Sequence, residues 1–111
     1  MNSLKNNVRL IGNLGNDPEI INLESGKKLA KFSLATNESF TNKSGEKETE
    51  TQWHNCIVWG KGADLVEKLL KKGSEIALDG KIIYNKYETK EGEKRTNTEI
   101  QVNEFLLLDS K

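Results

Sequence analysis

Two tryptophans, Trp53 and Trp59, are the residues whose side chains indicate a function most clearly. Both lie in segment 51–59, which has the composition of a β-strand. Because side chains alternate along a strand, four residues share one face: Trp53, Asn55, Ile57 and Trp59. Flat rings on an open sheet face can stack on nucleobases, at about 1–3 kcal/mol per base and without reading sequence. Ile57 would then be an isolated exposed apolar residue. The same face could instead form the core, but Asn55 would then be buried and need hydrogen-bond partners.

Three more aromatic residues lie near charged loops. Phe40 ends a second apolar segment just before the charged stretch 41–50, where it is either a core anchor or an exposed ring. Tyr84 and Tyr87 differ in parity, so a regular strand places them on opposite faces. We expect one of the two tyrosines in the core, and Tyr87, which is nearer the next loop, is the better candidate for an exposed ring.

Cations lie close to these aromatic residues in sequence and could follow a phosphate backbone. The chain has 17 basic and 17 acidic residues, whereas a strongly basic nucleic-acid domain would show a surplus of cations. Any such track must therefore come from segregation of charge on one face, and simple solvation explains most lysines. The candidates are Lys5, Arg9, Lys61, Lys86, Lys94 and Arg95.

The single histidine and the single cysteine, His54 and Cys56, lie two residues apart on one strand face. A nucleophile and a base could meet at this spacing, but no third group is placed to orient them, and a buried thiol is the usual case. A lone cysteine also excludes an internal disulfide and fits a reducing compartment. We expect no enzyme activity, no cofactor and no metal site.

The segments around these residues predict a mostly β protein. Val8–Leu14 predicts a bent strand, and segments 19–23 and 28–36 predict a hairpin around Ser25 and Gly26. Within that hairpin, three residues should face inward: Ala30, Phe32 and Leu34. Segments 51–59, 74–87 and 95–108 complete the strands, and the last two predict a long hairpin. Charged or glycine-containing stretches at 24–28, 41–50 and 89–94 predict loops.

Segment 64–72 breaks the strand pattern and predicts a short amphipathic helix. Asp64 lies near its start and Gly73 suits the position after its end. Its apolar face would consist of Leu65, Val66, Leu69 and Leu70. The economical architecture is an all-β, five-stranded Greek-key barrel, an OB-fold, with this helix between strands three and four. A small sandwich is the alternative.

The longest apolar run is residues 105–108, too short to span a membrane as a helix, and the N-terminus has no secretory apolar region. Apolar residues on both strand faces there indicate either a cap on the barrel or a contact between subunits. We expect a homo-oligomer in which Phe105 and Leu107 lie at the interface.

Five ordered blocks, which together cover about residues 4–108, resemble the bacterial single-stranded DNA-binding protein family. The blocks are VRLIGNLGNDP at 8–18, FSLATNESF at 32–40, TQWH and VWGK at 51–54 and 58–61, KGS with Gly80 at 72–80, and TEI at 98–100. The resemblance implies one OB-fold domain over residues 1–111 that wraps single-stranded DNA, as a homotetramer without catalysis.

The resemblance also implies roles for particular residues. Bases would stack on Phe40, Trp53, Trp59 and Tyr87, and His54 would lie in a subunit interface. Asn55 stands where many members have arginine, so one phosphate contact is expected to be missing. The implied work is protection of single strands in DNA replication, recombination and repair, in the cytoplasm at the nucleoid.

Family members commonly continue into a flexible linker and an acidic tip that recruits replication and repair enzymes. The present sequence ends at residue 111 without them, so tail-mediated recruitment is not expected. Two other functions stay open: an RNA-binding or replication-restart OB-fold protein, and an enzyme built around His54 and Cys56.

Overall fold

The computed structural model describes residues 5–108. It contains six strands and one helix. Their bounds are β1 Val8–Leu14, β2 Glu19–Asn22, β3 Lys28–Thr41, β4 Lys47–Trp59, α1 Lys61–Leu69, β5 Glu75–Glu88 and β6 Lys94–Leu107. Within the described residues, no helix has the length and apolar character that crossing a membrane requires.

Five of the strands close into a barrel in the order β1-β5-β6-β4-β3, and β1 returns to pair with β3. The closing contact is short, with only Asn13 and Leu14 of β1 in register with β3. All pairs are antiparallel except β4 with β6, and β2 adds to the free side of β3. This is the OB-fold, with the helix between the third and fourth barrel strands, so the predicted barrel is confirmed and the sandwich alternative is wrong.

The core follows the predicted alternation, since Ala30, Phe32 and Leu34 are all buried. Closure of the barrel depends on Gly12, where a Cβ atom would lie 2.2 Å from the carbonyl oxygen of Ala35. Only glycine allows the two strands to approach this closely.

The helix differs from its prediction in position and in width. It begins at Lys61, after Gly60 at a φ of 65°, and ends at Leu69. Val66 and Leu70 of the predicted apolar face are buried, whereas the other two, Leu65 and Leu69, are about half exposed. The helix packs over the end of the barrel through a narrow stripe of apolar side chains, so the predicted four-residue apolar face is wider than the face that is buried.

Gly73 is predicted to follow directly after the helix, but it instead forms a separate turn with a φ of 91°. Its N–H donates to the carbonyl of Leu14 over 2.9 Å, which ties the segment after the helix to the end of β1. The predicted helix extended into this turn because Leu70 fits the apolar pattern. Leu70 is buried, as the pattern indicates, but it lies outside the helix.

An ion-pair cluster joins the helix to the start of β3. The Lys28 ammonium lies 2.8 Å from a carboxylate oxygen of Asp64 and also contacts Glu67. Hydrogen bonds to Asp64 and then Glu67 raise the pKa of Lys28 above its ordinary value. The helix is therefore attached by charge on its outer side and by apolar contacts beneath.

Two hairpins extend beyond the barrel. Half of the stretch 41–50, predicted to be a loop, is strand, because β3 continues to Thr41 and β4 already begins at Lys47. The turn between them is tight, with the Asn42 side-chain oxygen accepting from the N–H groups of Ser44 and Glu46 over 2.9 and 3.0 Å. The β5–β6 hairpin likewise leaves the barrel, and its outer half is exposed.

Candidate nucleic-acid interface

The outer face of β4 carries both tryptophans. Trp53 is 61% exposed and Trp59 is 41% exposed, while Cys56 and Val58 on the other face are buried. The predicted alternation is confirmed, and the alternative that both rings form the core is wrong. Ile57, predicted to be exposed, is buried, because strands flank it on both sides and place Lys31 and Gln101 beside it.

Trp53 lies against backbone. A Cβ atom at Gly15 would be 2.3 Å from the indole ring, and the Gly15 N–H donates to the Ser33 carbonyl over 2.9 Å. The end of β1 therefore forms a flat seat under the ring, and the rest of the ring stays open to solvent. Sequence reasoning assigned Gly15 only to a bend in the strand and missed this contact.

A second aromatic position lies on the β5–β6 hairpin. Tyr87 is 50% exposed and pairs in register with Arg95, and together with Lys86 and Lys94 these residues line a shallow groove. Arg95 also contacts Glu93 over 3.0 Å. Tyr87 has the same parity as Asn85, whose side chain reaches Glu99 on the outer face of the barrel. Tyr87 thus lies on the same face of the sheet as the tryptophans.

Tyr84, expected in the core if Tyr87 is exposed, is 67% exposed. It has inward parity, but its strand has already left the barrel at this point, so no core lies beneath it.

Phe40 is 45% exposed on the β3–β4 hairpin. Trp53 pairs with Ala35, and paired residues share a face of the sheet. Phe40 is five residues from Ala35 along β3, an odd number, so Phe40 and Trp53 lie on opposite faces of that hairpin. The four predicted stacking residues are all exposed, but they do not form one flat platform.

The predicted cations divide into two groups. Lys61 begins the helix two residues after Trp59, and Lys86 and Arg95 flank Tyr87. Arg9 is engaged with Asp79 over 3.3 Å on the outer face of β1 and β5, and Lys5 is exposed before β1. Lys94 lines the groove beside Tyr87, so the structure brings four of the six cations close to the aromatic rings and leaves two apart from them.

The pair His54 and Cys56 lacks the features of a nucleophile and its base. Cys56 is 1% exposed, and burial raises the pKa of its thiol to about 12. The His54 ring nitrogen Nε2 instead lies 3.0 Å from the Thr36 hydroxyl. Among residues 5–108, no group of three or more His, Cys, Asp or Glu side chains could hold a metal ion.

The apolar run at the end of the chain faces two ways. Phe105 and Leu107 pack against the core, whereas Leu106 is 65% exposed. Leu106 lies in a row across three strands with Ala77 and with Ile11, which is 63% exposed. The row Ile11–Ala77–Leu106 is therefore the most exposed apolar surface near this end, and the two predicted interface residues, Phe105 and Leu107, are half-buried.

A closed OB barrel with exposed aromatic rings and nearby cations on its outer surface has the architecture of a single-strand nucleic-acid-binding module. The chain belongs to the single-strand binding protein family, whose model matches residues 5–108. The resemblance drawn from the five sequence blocks is thereby confirmed.

Relatives and solved structures agree with this assignment. The chain is 39% identical over 107 residues to "Single-stranded DNA-binding protein 1" of Chlorobaculum tepidum, covering 96% of this chain and 66% of that protein. It is 38% identical over 106 residues to the single-stranded DNA-binding protein of Neisseria meningitidis, covering 96% and 61%. The chain thus spans less than two thirds of the length of both relatives.

A solved structure described as "Plasmodium falciparum SSB complex with ssDNA" superposes with a TM-score of 0.85 at 34% identity. The match covers 94% of this chain and 95% of that chain, so the whole described barrel is shared.

Proposed function

We propose that the protein binds single-stranded DNA without sequence preference and without catalysis. The observation that carries this proposal is the pair of exposed tryptophans on one face of β4, with Trp53 seated on the Gly15 backbone. Exposed aromatic rings grouped on one face mark a contact surface, and every base offers a face on which they can stack. Family membership and the similarity to a complex with single-stranded DNA support the proposal.

Within this proposal, bases stack on Trp53, Trp59 and Tyr87, and phosphates pass Lys61 and the hairpin cations. Phe40 takes part only if the strand passes over the edge of the β3–β4 hairpin, since it faces the other way. Lys5 and Arg9 extend the track only where DNA reaches the β1 side. Such a wrapped path fits a molecule whose net charge is zero and whose cations are dispersed.

The proposed assembly is a homotetramer. Its contact includes the exposed apolar row Ile11–Ala77–Leu106, because a closed symmetric assembly can cover such a patch. Phe105 and Leu107 support this contact from the core side by holding the strand that presents Leu106. His54 remains a proposed contact through its partly exposed ring.

The proposed cellular role is to coat exposed strands during DNA replication, recombination and repair, in the cytoplasm at the nucleoid. The names of the two relatives support binding to single-stranded DNA. The cellular processes are inferred from that chemistry, since each of them exposes single strands that can reanneal or be cleaved.

A competition assay tests the binding function. Labelled oligo-dT is bound at fixed salt and displaced by unlabelled oligo-dT, by oligo-U or by duplex DNA. We expect oligo-dT to compete best and duplex to compete weakly. Stronger competition by oligo-U would favour the RNA-binding alternative, and no binding of labelled oligo-dT would contradict the proposal.

A further inference from the structure

A polar groove lies on the outer face of the barrel beside Trp53, between β2, β3, β4, β6 and the segment after β1. Its volume of about 280 Å³ is just below the ~300–1,000 Å³ of pockets for drug-sized ligands, so it is suited to a single nucleobase. The polar side chains that line it are Asn16, Glu19, Lys31, Ser33, Asn55 and Glu99.

Glu99 is the unusual member of this groove, because it is a carboxylate that is only 8% exposed. One of its oxygens accepts a hydrogen bond from the Asn85 amide, and no cation pairs with it among residues 5–108. An ionised carboxylate can only accept hydrogen bonds and has about four lone-pair positions, so most of this capacity is left for donors from outside the protein. A ligand that brings N–H groups would meet that need.

Asn55 lies next to Glu99, because β4 and β6 run parallel with Cys56 and Ile100 in register one residue further on. Its amide makes no hydrogen bond to any described residue, so it can both donate and accept. Asn16 is different, since its oxygen already accepts from the N–H and the hydroxyl of Ser33, each over 2.9 Å. Glu99 and Asn55 therefore both keep hydrogen-bonding capacity for a ligand.

The groove lies close to the proposed stacking ring, Trp53. Asn55 is two residues from Trp53 on the same face, a separation of about 7 Å along the strand. A base that follows one stacked on Trp53 would therefore arrive at the groove. A phosphate is a poor occupant, because two acidic residues line the groove, Glu19 and Glu99, against one cation, Lys31.

We propose that this groove is a subsite for one nucleobase that carries an exocyclic amino group. Glu99 accepts from that amino group, and the Asn55 amide pairs with an adjacent ring atom. Adenine, cytosine and guanine have such a group, whereas thymine has a carbonyl oxygen where cytosine has its amino group, and the carboxylate repels that oxygen. The inference rests on the proposed binding of single-stranded DNA, and it adds a preference at one position within otherwise sequence-tolerant binding.

The test compares oligo-dC with oligo-dT of equal length at fixed salt, in the wild type and in Glu99→Gln. Glutamine keeps the side-chain shape and the acceptor for Asn85, but it loses the charge. We expect the ratio of Kd for oligo-dT to Kd for oligo-dC to fall about fivefold or more in Glu99→Gln, without weaker binding of oligo-dT. Glu24→Gln, which removes the same charge from an exposed turn, should leave the ratio unchanged.

A second measurement uses the wild type alone, so it stands even if Glu99→Gln does not fold. Replacing cytosine with 2-pyrimidinone deletes the amino group and adds no bulk. We expect binding to weaken by a similar factor. If oligo-dT binds, but Glu99→Gln leaves the Kd ratio unchanged and 2-pyrimidinone binds as tightly as cytosine, the subsite is overturned and the binding function stands. If neither oligonucleotide binds, the proposed function fails as well.

Discussion

At the scale of the residue, the central feature is the packing of the Trp53 ring against Gly15. The indole is exposed, yet it has a fixed position, because it rests on the Gly15 backbone beside Ser33. A ring that is already oriented loses less side-chain entropy when a base stacks on it. Gly15 is therefore part of the proposed binding surface, although it has no side chain of its own to contact DNA.

Gly15→Ala tests this seat. Because the added Cβ would lie 2.3 Å from the ring, Trp53 must move, and we expect binding to oligo-dT to weaken by up to about 1–3 kcal/mol. The melting temperature should change little, because the displaced group is an exposed side chain. The matched control is Gly12→Ala, whose Cβ would collide with backbone at Ala35 and should cost about 1–3 kcal/mol of unfolding free energy. Equal effects of the two variants on stability would contradict the assignment.

Cys56 gives a second prediction at this scale. A thiol whose pKa is about 12 is almost entirely protonated at pH 8, and the thiolate is the reactive form. We expect a disulfide reagent to label the folded protein very slowly at pH 8 and rapidly after addition of denaturant. Fast labelling of the folded protein would mean that the thiol is accessible and would reopen the hypothesis of a nucleophile.

The alternation of side chains identified the exposed face of β4 from sequence, because Trp53 and Trp59 have one parity and the buried Cys56 and Val58 have the other. Parity could not locate Tyr84 or Phe40 in the same way. Alternation gives relative faces along a strand, but it does not reveal where the strand leaves the barrel. The Gly15 seat depends on two strands meeting, which no local pattern records.

At the scale of the element, the helix is held to the barrel by charge as well as by packing. Lys28 at the start of β3 contacts two acidic residues of α1, Asp64 and Glu67. The helix prediction failed at its ends because it began at Asp64 rather than directly after Gly60, and because the apolar pattern ran past the true end at Leu69. The existence of the helix was predictable, whereas its exact bounds depend on which apolar residues contact the sheet.

Lys28 predicts how stability changes with pH. Its folded-state pKa is raised, so its contribution is fully present below the ordinary value of 10.5 and is lost as pH rises through the raised value. We expect the difference in unfolding free energy between the wild type and Lys28→Met to shrink above about pH 10.5.

Chemical denaturation between pH 8 and pH 11 measures this difference, and subtraction cancels the contribution of Cys56, which both proteins share. Lys31→Met is the control, because Lys31 has no ion pair among residues 5–108 and its difference should stay constant. A Lys28→Met difference that grows with pH would contradict the ion-pair account.

At the scale of the whole molecule, the barrel architecture was predictable, because short β segments with one helix before the last two strands match few known architectures. The outward-facing members of the apolar run were harder to predict. The bulge near Asp79 and Gly80 and the pairing with β5 decide which members of the apolar run face outward, and both are properties of the folded sheet.

The apolar row predicts the effect of a charge on assembly. Leu106→Glu places a carboxylate within the proposed contact, so we expect sedimentation at micromolar concentration to show a smaller species than the wild type. Far-UV circular dichroism should show that each chain stays folded, because Leu106 is exposed. Leu65→Glu, a charge at an exposed apolar residue of α1, should leave the mass unchanged. A monomeric wild type would reject the oligomer.

Titration with oligo-dT while tryptophan emission is recorded tests the central claim most directly. Both tryptophans of the chain lie on the proposed face, so the emission reports on that face alone. We predict strong quenching in the wild type. Trp53→Ala and Trp59→Ala should each leave partial quenching and weaken binding by about 1–3 kcal/mol, with little loss of stability. Saturating binding without any quenching, or unchanged affinity in both variants, would contradict the claim that single strands stack on these rings.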